Sequence, residues 1–281
     1  MENIIWAFVW FVILGGAFGA LLAFAAKVFH VDRDERATLI RDALPGANCG
    51  NCGYSGCDSY VEAVLRGDAK TNACTVGGPP TAMEVGVIMG VYETDAPLKF
   101  RAQVMCSGTS EYSHKKYIYA GASDCLSATK IGGGDKLCPS GCIGNGSCVK
   151  SCKWNAISVI DGVAVVDYAL CTGCGVCVKT CPKFLIKLIP YTAAHWVGCR
   201  SLQNGAETRR ACDVGCISCR LCEKNCPTDA ITVNDFIASI EYKKCIGCDK
   251  CVGVCKRKII WSGKTHTRGP VIKLSETDTA S

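Results

Sequence analysis

Residues 216–227 read CISCRLCEKNCP: three cysteines separated by two residues each, a fourth after three more residues, and then a proline. Residues 171–182 have the same spacing and the same final proline. Residues 245–255 also have this spacing, with Lys256 where the proline would stand. These three runs hold half of the 24 cysteines in a chain of 281 residues, so cysteine is the feature that any account of the fold must explain.

The cysteines also indicate that part of the chain is duplicated. From Cys125 onward, adding 74 to the number of a cysteine gives another cysteine at nine positions without a gap. The first members are Cys125, Cys138, Cys142, Cys148, Cys152, Cys171, Cys174, Cys177 and Cys181, and their counterparts are Cys199, Cys212, Cys216, Cys222, Cys226, Cys245, Cys248, Cys251 and Cys255. One position breaks the match, because Cys219 corresponds to Asn145. Such a repeat predicts two copies of one metal-binding unit.

Each copy contains two runs that start 29 residues apart, a pattern typical of two-cluster bacterial ferredoxins, in which the fourth cysteine of a run ligates the cluster of the other run. We therefore predict three crossed ligand sets from the spacing. They are Cys216, Cys219 and Cys222 with Cys255; Cys245, Cys248 and Cys251 with Cys226; and Cys171, Cys174 and Cys177 with Cys152. Short apolar and β-branched stretches predict brief strands at residues 157–160, 163–166, 231–233 and 237–242.

Zinc and disulfides are the alternative uses for so many cysteines. Structural zinc sites use two separated pairs of ligands, rather than three close cysteines followed by a fourth. Disulfide-rich chains are typically small and secreted, and nothing in this sequence resembles a secreted protein. The spacing therefore favours iron–sulfur clusters.

The amino-terminal segment predicts a membrane anchor. Residues 4–26 carry no charge, and as a helix they would extend about 34 Å, enough to cross the hydrocarbon core of a membrane. The run is longer than the apolar part of a signal peptide, and only Glu2 is charged before it. Lys27, Arg33 and Arg36 follow it, which predicts a single-pass protein of the cytoplasmic membrane with its cluster domains in the cytoplasm. Thiols stay reduced in that compartment.

A different cysteine pattern precedes the repeats. Cys49, Cys52 and Cys57 are separated by short glycine-rich stretches that allow the backbone to turn tightly. The apolar pattern of residues 58–66 predicts a helix. This helix would bring the chain back, so that Cys74 can complete the ligand set. The C-x2-C spacing also suits zinc, but the other clusters in the chain favour a further [4Fe–4S] site.

The sets above account for sixteen cysteines, and three more, Cys142, Cys148 and Cys181, belong to the remaining set of the first copy. Five cysteines are left over, and that set still lacks the ligand that Asn145 replaces. We choose Cys138 for that position because it lies just before Cys142. The predicted set is Cys138, Cys142, Cys148 and Cys181. The last four cysteines, Cys106, Cys125, Cys199 and Cys212, are the number that a sixth cluster needs. The alternative is that they are buried thiols, as free cysteines often are. The sequence thus predicts at least five [4Fe–4S] clusters and leaves a sixth open.

Other kinds of site have little support. No G-x-G-x-x-G follows a predicted strand, so we expect no nicotinamide or flavin site and no hydride chemistry in this chain. The four histidines, His30, His114, His195 and His266, are scattered, and we interpret them as surface or packing residues. No nucleic-acid recognition module is apparent, so we expect no nucleic acid as a partner.

The formal net charge is +6, and several basic residues surround the last run. They are Lys243, Lys244, Lys250, Lys256, Arg257 and Lys258. A solvated basic surface is the ordinary interpretation. A docking surface for an acidic redox carrier is the more specific one, because complementary charge accelerates encounter.

The anchor, the pattern from Cys49 to Cys74 and the ferredoxin-type runs, in this order, resemble the B subunit of the Rnf complex, a membrane ferredoxin:NAD+ oxidoreductase that couples electron flow to Na+ or H+ transport. Two pairs of runs resemble the long form found in anaerobic bacteria. The resemblance implies that the chain accepts electrons from reduced ferredoxin and passes them to other membrane and peripheral subunits of the complex. It also implies that NAD+ reduction and ion movement belong to those subunits.

The expected fold class is α+β, with one transmembrane helix, a small helical 4Fe–4S domain and two tandem ferredoxin-like domains. The expected divisions are an anchor at 1–27, the helical domain at 31–80, a connecting segment at 81–124, ferredoxin-like pairs at 125–190 and 191–264, and a flexible tail at 265–281. Two other classes of function compete with electron transfer. A cluster-bearing enzyme would leave an iron open, and only Asn145 offers this; a cluster-assembly scaffold needs no anchor.

Overall fold

The structure, a computed structural model, describes residues 2–28, 34–91 and 99–262. Its elements, in chain order, are α1 (Glu2–Val28), α2 (Glu35–Ala43), α3 (Cys57–Leu65), α4 (Gly78–Met89), β1 (Phe100–Val104), α5 (Cys125–Lys130), α6 (Ser147–Lys150), β2 (Ile157–Ile160), β3 (Val163–Val166), α7 (Val176–Thr180), β4 (Ile186–Pro190), β5 (His195–Val197), α8 (Gly205–Ala211), α9 (Leu221–Lys224), β6 (Ile231–Asn234), β7 (Ile237–Ile240), α10 (Lys250–Val254) and β8 (Ile260–Ser262). This mixture of short helices and two-stranded sheets confirms the α+β fold class.

Helix α1 is a candidate membrane span. Residues Val9–Val28 have a mean hydropathy of 2.2, and none of this stretch is buried against the rest of the protein. Large apolar side chains such as Phe11 and Phe24 are exposed. A continuous apolar surface of this kind needs a membrane or a partner to cover it. The predicted helix is confirmed, whereas its orientation in a membrane stays a prediction.

The next three helices form a small apolar core. Ile40 of α2, Val64 of α3 and Val85 of α4 are buried in one cluster. Tyr60 of α3 lies in the same core and donates its hydroxyl to the backbone carbonyls of Lys70 (2.8 Å) and Thr71 (3.0 Å). These bonds fix the loop after α3, which carries Cys74. The helix that the sequence predicts at residues 58–66 is confirmed as α3.

The first ferredoxin-like unit is closed by strands from its two ends. Strand β1 pairs antiparallel with β4, so that Phe100 lies opposite Pro190 and Val104 opposite Ile186. Strands β2 and β3 form a hairpin. Apolar side chains of these strands share one core with several of the cysteines. The first strand and the last strand therefore hold the cysteine runs between them.

The second unit repeats this arrangement. Strand β5 pairs antiparallel with β8, with His195 opposite Ser262 and Val197 opposite Ile260, and β6 and β7 form the second hairpin. Its core includes apolar residues of all four strands. Both cysteine-run segments therefore fold in the same way, as the duplication predicts.

A buried arginine joins the two units. Arg101 of β1 is only 3% exposed, and its guanidinium carbon lies 3.7 Å from the ring centre of Tyr168 and 5.0 Å from that of Trp196 in β5. Its Nη2 donates to the carbonyl of Ala193. Arginine packed between two aromatic rings stabilises the contact by cation–π attraction as well as by burial.

The hairpin strands β2, β3, β6 and β7 lie where the sequence predicts them. Strands β1, β4, β5 and β8 were not predicted, because their partners are far away in the chain. The segment predicted as a connection at 81–124 contains most of α4, together with β1. The domain boundaries stay predictions, and the predicted tail at 265–281, His30, Arg33 and His266 lie outside the described residues.

Removal of α1 tests the anchor. We expect a chain lacking residues 2–27, expressed without partner subunits, to move from carbonate-washed vesicles into the soluble fraction, because no other described helix is long and apolar enough to span a membrane. A chain lacking residues 264–281 is the control and should stay with the vesicles. Attachment that survives the amino-terminal deletion would contradict the anchor.

A pair of duplicated glycines tests the closure of the first unit. Gly173 has φ +72°, and a Cβ there would overlap the carbonyl of Phe100 in β1. Gly247 is its counterpart, with φ +69°, and a Cβ there would lie 3.2 Å from the Cβ of Ala194. Alanine costs about 1–2 kcal/mol at either site for the left-handed backbone, but only Gly173→Ala must also move a strand. We expect its apparent melting midpoint, measured anaerobically, to fall at least twice as far as that of Gly247→Ala; equal falls would contradict this.

Candidate iron–sulfur centres

The four cysteines of the amino-terminal pattern surround one cavity of about 340 Å³. Cys49 and Cys52 lie on a loop in which Gly50 and Gly53 have left-handed backbone angles, φ +67° and +93°, and Cys57 begins α3. Cys74 closes the cavity, and its Sγ accepts a hydrogen bond from the Gly77 amide (3.4 Å). The structure therefore brings together the set that the sequence predicts.

In the second unit, the first run lies beside the last cysteine of the second run. The pKa of Cys222 is raised to about 11, mainly by burial and in part by the charges of Cys216 and Cys255. Cys219 is also close enough to contribute to that pKa. Cys255 ends α10, which packs against α9. This is the crossed grouping that the run spacing predicts.

The second run of that unit lies beside Cys226. A cavity of about 340 Å³ is lined by Cys226, Cys245, Cys248 and Cys251. The Sγ of Cys226 accepts a hydrogen bond from the Ala230 amide (3.2 Å). Burial acts to raise the pKa of Cys226, but hydrogen bonds from the backbone at Thr228, Ile231 and Ala230 outweigh it and lower the pKa.

The first unit groups its second run with Cys152. The pKa of Cys177 is raised to about 12, mainly by burial and then by the neighbouring Cys174, Cys171, Cys148 and Cys152. Cys152 also helps to raise the pKa of Cys174, after burial and Cys49. The Sγ of Cys171 accepts a hydrogen bond from the Ala102 amide in β1 (3.3 Å). The predicted crossed grouping is therefore present in this unit too.

The remaining set of the first unit differs from the prediction. A cavity of about 420 Å³ is lined by Cys125, Cys142, Cys148 and Cys181, and Cys138 is not among its lining residues. The pKa of Cys148 is raised to about 11, mainly by burial and in part by the charges of Cys125 and Cys181. The structure thus lines this cavity with Cys125 and not with Cys138, which differs from the predicted grouping, and the ligand set itself stays a prediction.

Local hydrogen bonds explain how Cys125 reaches this position. Asp124 caps α5 by accepting from the Ser127 amide (2.8 Å), and the Cys125 amide donates to the hydroxyl of Ser147 (2.8 Å). Asn145, which stands at the position of Cys219, donates its side-chain amide to the carbonyl of Asp124 (3.2 Å). Asn145, which stands where the second unit has Cys219, therefore holds in place the segment that brings Cys125 to this group.

Cys138 lies instead with three of the cysteines predicted as a leftover set. A cavity of about 410 Å³ between the two units is lined by Cys106, Cys138, Cys199 and Cys212. The structure therefore exchanges Cys125 and Cys138 between the two sets that the sequence predicts. All 24 cysteines are free and fall into six groups of four.

The thiols suit a polynuclear group better than a single ion. A tetrahedral zinc ion holds each thiolate sulfur about 2.3 Å from one point, and among the described residues no three His, Cys, Asp or Glu side chains converge in that way. The cysteines surround cavities of about 340 to 420 Å³ instead. Backbone amides that donate to Sγ atoms are also typical of iron–sulfur ligation. Burial raises the pKa of several of these thiols, such as Cys177 and Cys222, and a thiol must lose its proton when it binds metal.

One histidine has a more specific position than the sequence analysis assigned to it. His195 of β5 is 1% exposed, its Nε2 lies 2.5 Å from Oδ1 of Asp249, and its Nδ1 lies 3.9 Å from Sγ of Cys245. The ring therefore connects a surface carboxylate to a thiol of the last set. The position of His195 depends on the pairing of β5 with β8, which are far apart in the chain. No local sequence pattern therefore indicated it.

Three family models match the cysteine-rich parts of the chain. A model described as a putative Fe–S cluster matches residues 44–76. Models described as 4Fe–4S dicluster domains match residues 141–185 and 215–260. These ranges contain the amino-terminal set and the paired runs. The cysteines that they leave out are Cys106, Cys125, Cys138, Cys199 and Cys212.

Three relatives resemble nearly the whole chain. The B subunit of the ion-translocating oxidoreductase complex of Methanosarcina acetivorans is 40% identical over 88% of this chain and 94% of its own length. The B subunit of the Na(+)-translocating ferredoxin:NAD(+) oxidoreductase complex of Acetobacterium woodii is 43% identical over 88% of this chain and 74% of its own length. Its counterpart in the proton-translocating ferredoxin:NAD(+) oxidoreductase complex of Clostridium ljungdahlii is 37% identical over 91% of both chains. With its six groups of cysteines and two ferredoxin-like units, the chain belongs to the family of B subunits of ion-translocating oxidoreductase complexes, as its resemblance to Rnf proteins predicts.

Proposed function

We propose that this chain carries electrons from reduced ferredoxin to the other subunits of a membrane-bound, ion-translocating ferredoxin:NAD+ oxidoreductase. A [4Fe–4S] cluster, when bound, takes up and gives back one electron at a time. The observation that carries the proposal is the contact between successive cysteine groups, from the helical domain into and through the first ferredoxin-like unit. The names of the relatives support the kind of complex.

The ligands that we propose for five clusters follow from the groups described above. They are Cys49, Cys52, Cys57 and Cys74; Cys152, Cys171, Cys174 and Cys177; Cys125, Cys142, Cys148 and Cys181; Cys216, Cys219, Cys222 and Cys255; and Cys226, Cys245, Cys248 and Cys251. The protein contributes the thiols, the amides that donate to them and their degree of burial, which together tune the potential of a cluster.

The amino-terminal group contacts the first ferredoxin-like unit. The side-chain amide of Asn51 donates to the carbonyl of Gly173 (3.2 Å), and Nζ of Lys179 donates to the carbonyl of Cys49 (3.3 Å). Cys49 is also close enough to Cys174 to help raise its pKa, after burial. Two cysteine groups are thus held edge to edge by bonds that do not involve the thiols.

Contact continues within the first unit. Cys148 is among the charges that raise the pKa of Cys177, after burial, Cys174 and Cys171 and ahead of Cys152. Helices α6 and α7, which carry these two cysteines, pack against each other. The electron therefore has a short path between the two groups of this unit.

The second unit offers the most accessible thiols. Cys219 and Cys248 are exposed, as are Ile246 at 66% and the lysines at 243, 244, 250, 256 and 258. Lys244 forms an ion pair with Glu241, and Arg257 donates to backbone carbonyls. An exposed thiol group rimmed by positive charge suits an acidic carrier such as ferredoxin. We therefore place electron entry at this unit.

Electron exit then lies at the other end of the chain. Only residues 29–34 separate α1 from α2, and α2 packs in the core that contains Cys52, Cys57 and Cys74. An anchor in α1 would hold this group near the membrane. Membrane subunits are therefore the expected acceptors, with the cluster domains on the cytoplasmic side.

The competing functions lose their support. An enzyme with its own substrate needs an open iron, and Asn145 was the only candidate position; Cys125 now stands beside that group. A scaffold would hold its clusters loosely and near its surface, whereas burial raises the pKa of cysteines in most of these groups.

Replacement of Cys125 tests the revised ligand set. We expect Cys125→Ala to remove about four iron atoms per chain, because a cubane needs its fourth thiolate. Asn145→Cys in the same chain should restore them, since position 145 corresponds to Cys219. Iron and acid-labile sulfide in the anaerobically purified full chain are the measurement. If the iron content of Cys125→Ala is unchanged, Cys125 is not the fourth ligand of this group, and Cys138 becomes the expected ligand again.

Electron uptake tests the proposed function. The full chain should oxidise reduced ferredoxin but form no NADH, because it has no dinucleotide fingerprint. At low salt, exchanging Lys243, Lys250 and Lys256 for glutamine should slow the reaction about tenfold, and the difference should shrink as salt rises. The exposed Lys130, exchanged alone, is the control. Steady NADH formation, or a rate indifferent to both salt and these lysines, would contradict the proposal.

A further inference from the structure

We propose that the cavity between the two ferredoxin-like units holds a sixth [4Fe–4S] cluster. Its four lining cysteines, called the bridging cysteines, are Cys106, Cys138, Cys199 and Cys212. None of them lies in a range matched by a family model. The cavity, at about 410 Å³, is as large as those of the regular groups, at about 340 to 420 Å³.

Each unit contributes the same first thiol to the cavity. Cys106 lies two residues beyond the end of β1, and Cys199 lies two residues beyond the end of β5. The Sγ of Cys106 accepts a hydrogen bond from the Cys142 amide (3.5 Å), and the Sγ of Cys199 accepts one from the Cys216 amide (3.3 Å). The two thiols are therefore structural counterparts, which the constant offset of 74 residues had concealed.

Each unit also contributes the same second thiol. Cys138 and Cys212 each precede the first cysteine of a run by four residues. The four bridging cysteines are thus two equivalent pairs, one from each copy of the duplicated unit. Because each copy supplies only two of the four thiols, neither copy can complete the site alone.

A short segment of the first unit ties the two pairs together. Ser113 forms a β-bridge with Cys212, and the His114 amide donates to the carbonyl of Ala211 (3.1 Å). On its other side, the carbonyl of His114 accepts from the Leu137 amide (2.7 Å). The segment therefore holds the backbone next to Cys138 and the backbone at Cys212 in fixed positions on either side of it.

The thiols are close to one another. The thiol of Cys212 lies close enough to Cys106 and Cys138 for their charges to act on it. The buried thiol of Cys199 likewise lies close enough to Cys106 for the charge of Cys106 to act on it. Cys106 is thus near both cysteines of the other unit. Gly108 allows this approach, since a Cβ there would lie 3.2 Å from Sγ of Cys212 and 3.9 Å from Sγ of Cys106.

A buried positive charge points independently to an anionic occupant. Lys136 lines the cavity and is 4% exposed, and its Nζ donates to the carbonyls of Gly108 (2.7 Å) and Gly162 (3.0 Å). Within the described residues it forms no ion pair; the neighbouring Asp135 pairs with Lys115. A buried ammonium without a counter-charge is strongly disfavoured. A cluster held by four thiolates is a net anion and would supply that charge.

The position explains what such a cluster would do. The proposal rests on the proposed function, because it places the cluster between the Cys142 group of one unit and the Cys216 group of the other, whose amides contact the bridging thiols. Four S–H bonds break and four Fe–S bonds form when it binds, and four protons go to solvent with no net oxidation. The electron path would then cross from one unit to the other without a gap.

Iron analysis of the anaerobically purified full chain tests the inference. We expect about 24 iron and 24 sulfide atoms in the unaltered chain, as six cubanes require. Cys138→Ala and Cys212→Ala should each lose about four of each, and the double variant should lose no more than either single variant. Ser140→Ala, on the cavity wall, is the matched control and should lose none.

Each other outcome overturns the proposal. About twenty iron atoms in the unaltered chain, unchanged by either substitution, would make the bridging cysteines buried thiols. If Cys138→Ala loses iron but Cys212→Ala does not, Cys138 is a ligand of a cluster within the first unit instead. Native mass spectrometry counts the clusters in the unaltered chain directly. The proposal can therefore be decided even if a variant fails to fold.

The same preparation separates this inference from the proposed function. If the chain holds five clusters and still oxidises reduced ferredoxin, only the sixth cluster is wrong. If it holds six clusters but does not react with ferredoxin, the cluster stands and the function fails.

Discussion

Each ferredoxin-like unit can complete its cysteine groups only when its two ends have met. The fourth cysteine of one run lies with the other run, and the strands that bring them together come from the start and the end of the unit, as in the pairing of β5 with β8. The apolar core of such a unit is small. Metal binding therefore supplies much of the folding free energy, and the loss of one ligand is expected to weaken both groups of a unit.

The sequence specifies the parts of this arrangement that are local. The spacing of a run determines three thiols of a group, and the β-branched stretches after it give hairpins such as β6 with β7. The pairing of β1 with β4 joins residues about ninety positions apart and leaves no local pattern. The position of His195 beside Cys245 depends on a similar long-range pairing, so it also could not be predicted.

The exchange of Cys125 and Cys138 has a different cause. Cys106 and Cys138 are 32 residues apart, whereas their counterparts Cys199 and Cys212 are 13 apart, so the first copy contains extra chain between them. Cys125 lies in that extra chain, and the offset of 74 residues that matches it to Cys199 is a coincidence of numbering. Its function in the structure is to replace the ligand missing at Asn145. The extra segment carries Cys125, so the spacing of the cysteines still looks like an exact repeat. The thiols that lie together in the first unit are nevertheless different from those that the repeat predicts.

Solvent exposure and charge differ along the row of cysteine groups, which gives the chain two unlike ends. Cys248 is exposed, whereas Cys212 is buried between the units. Burial disfavours an added negative charge, so a buried cluster is harder to reduce than an exposed one unless positive charge lies close to it. Lys136 provides that charge, because its position also opposes the rise in the pKa of Cys138, Cys142 and Cys212. The ammonium of Lys136 thus offsets the effect of burial both at the cavity between the units and at the adjoining group that contains Cys142. Without this charge, a cluster at either place would be harder to reduce and would interrupt electron flow.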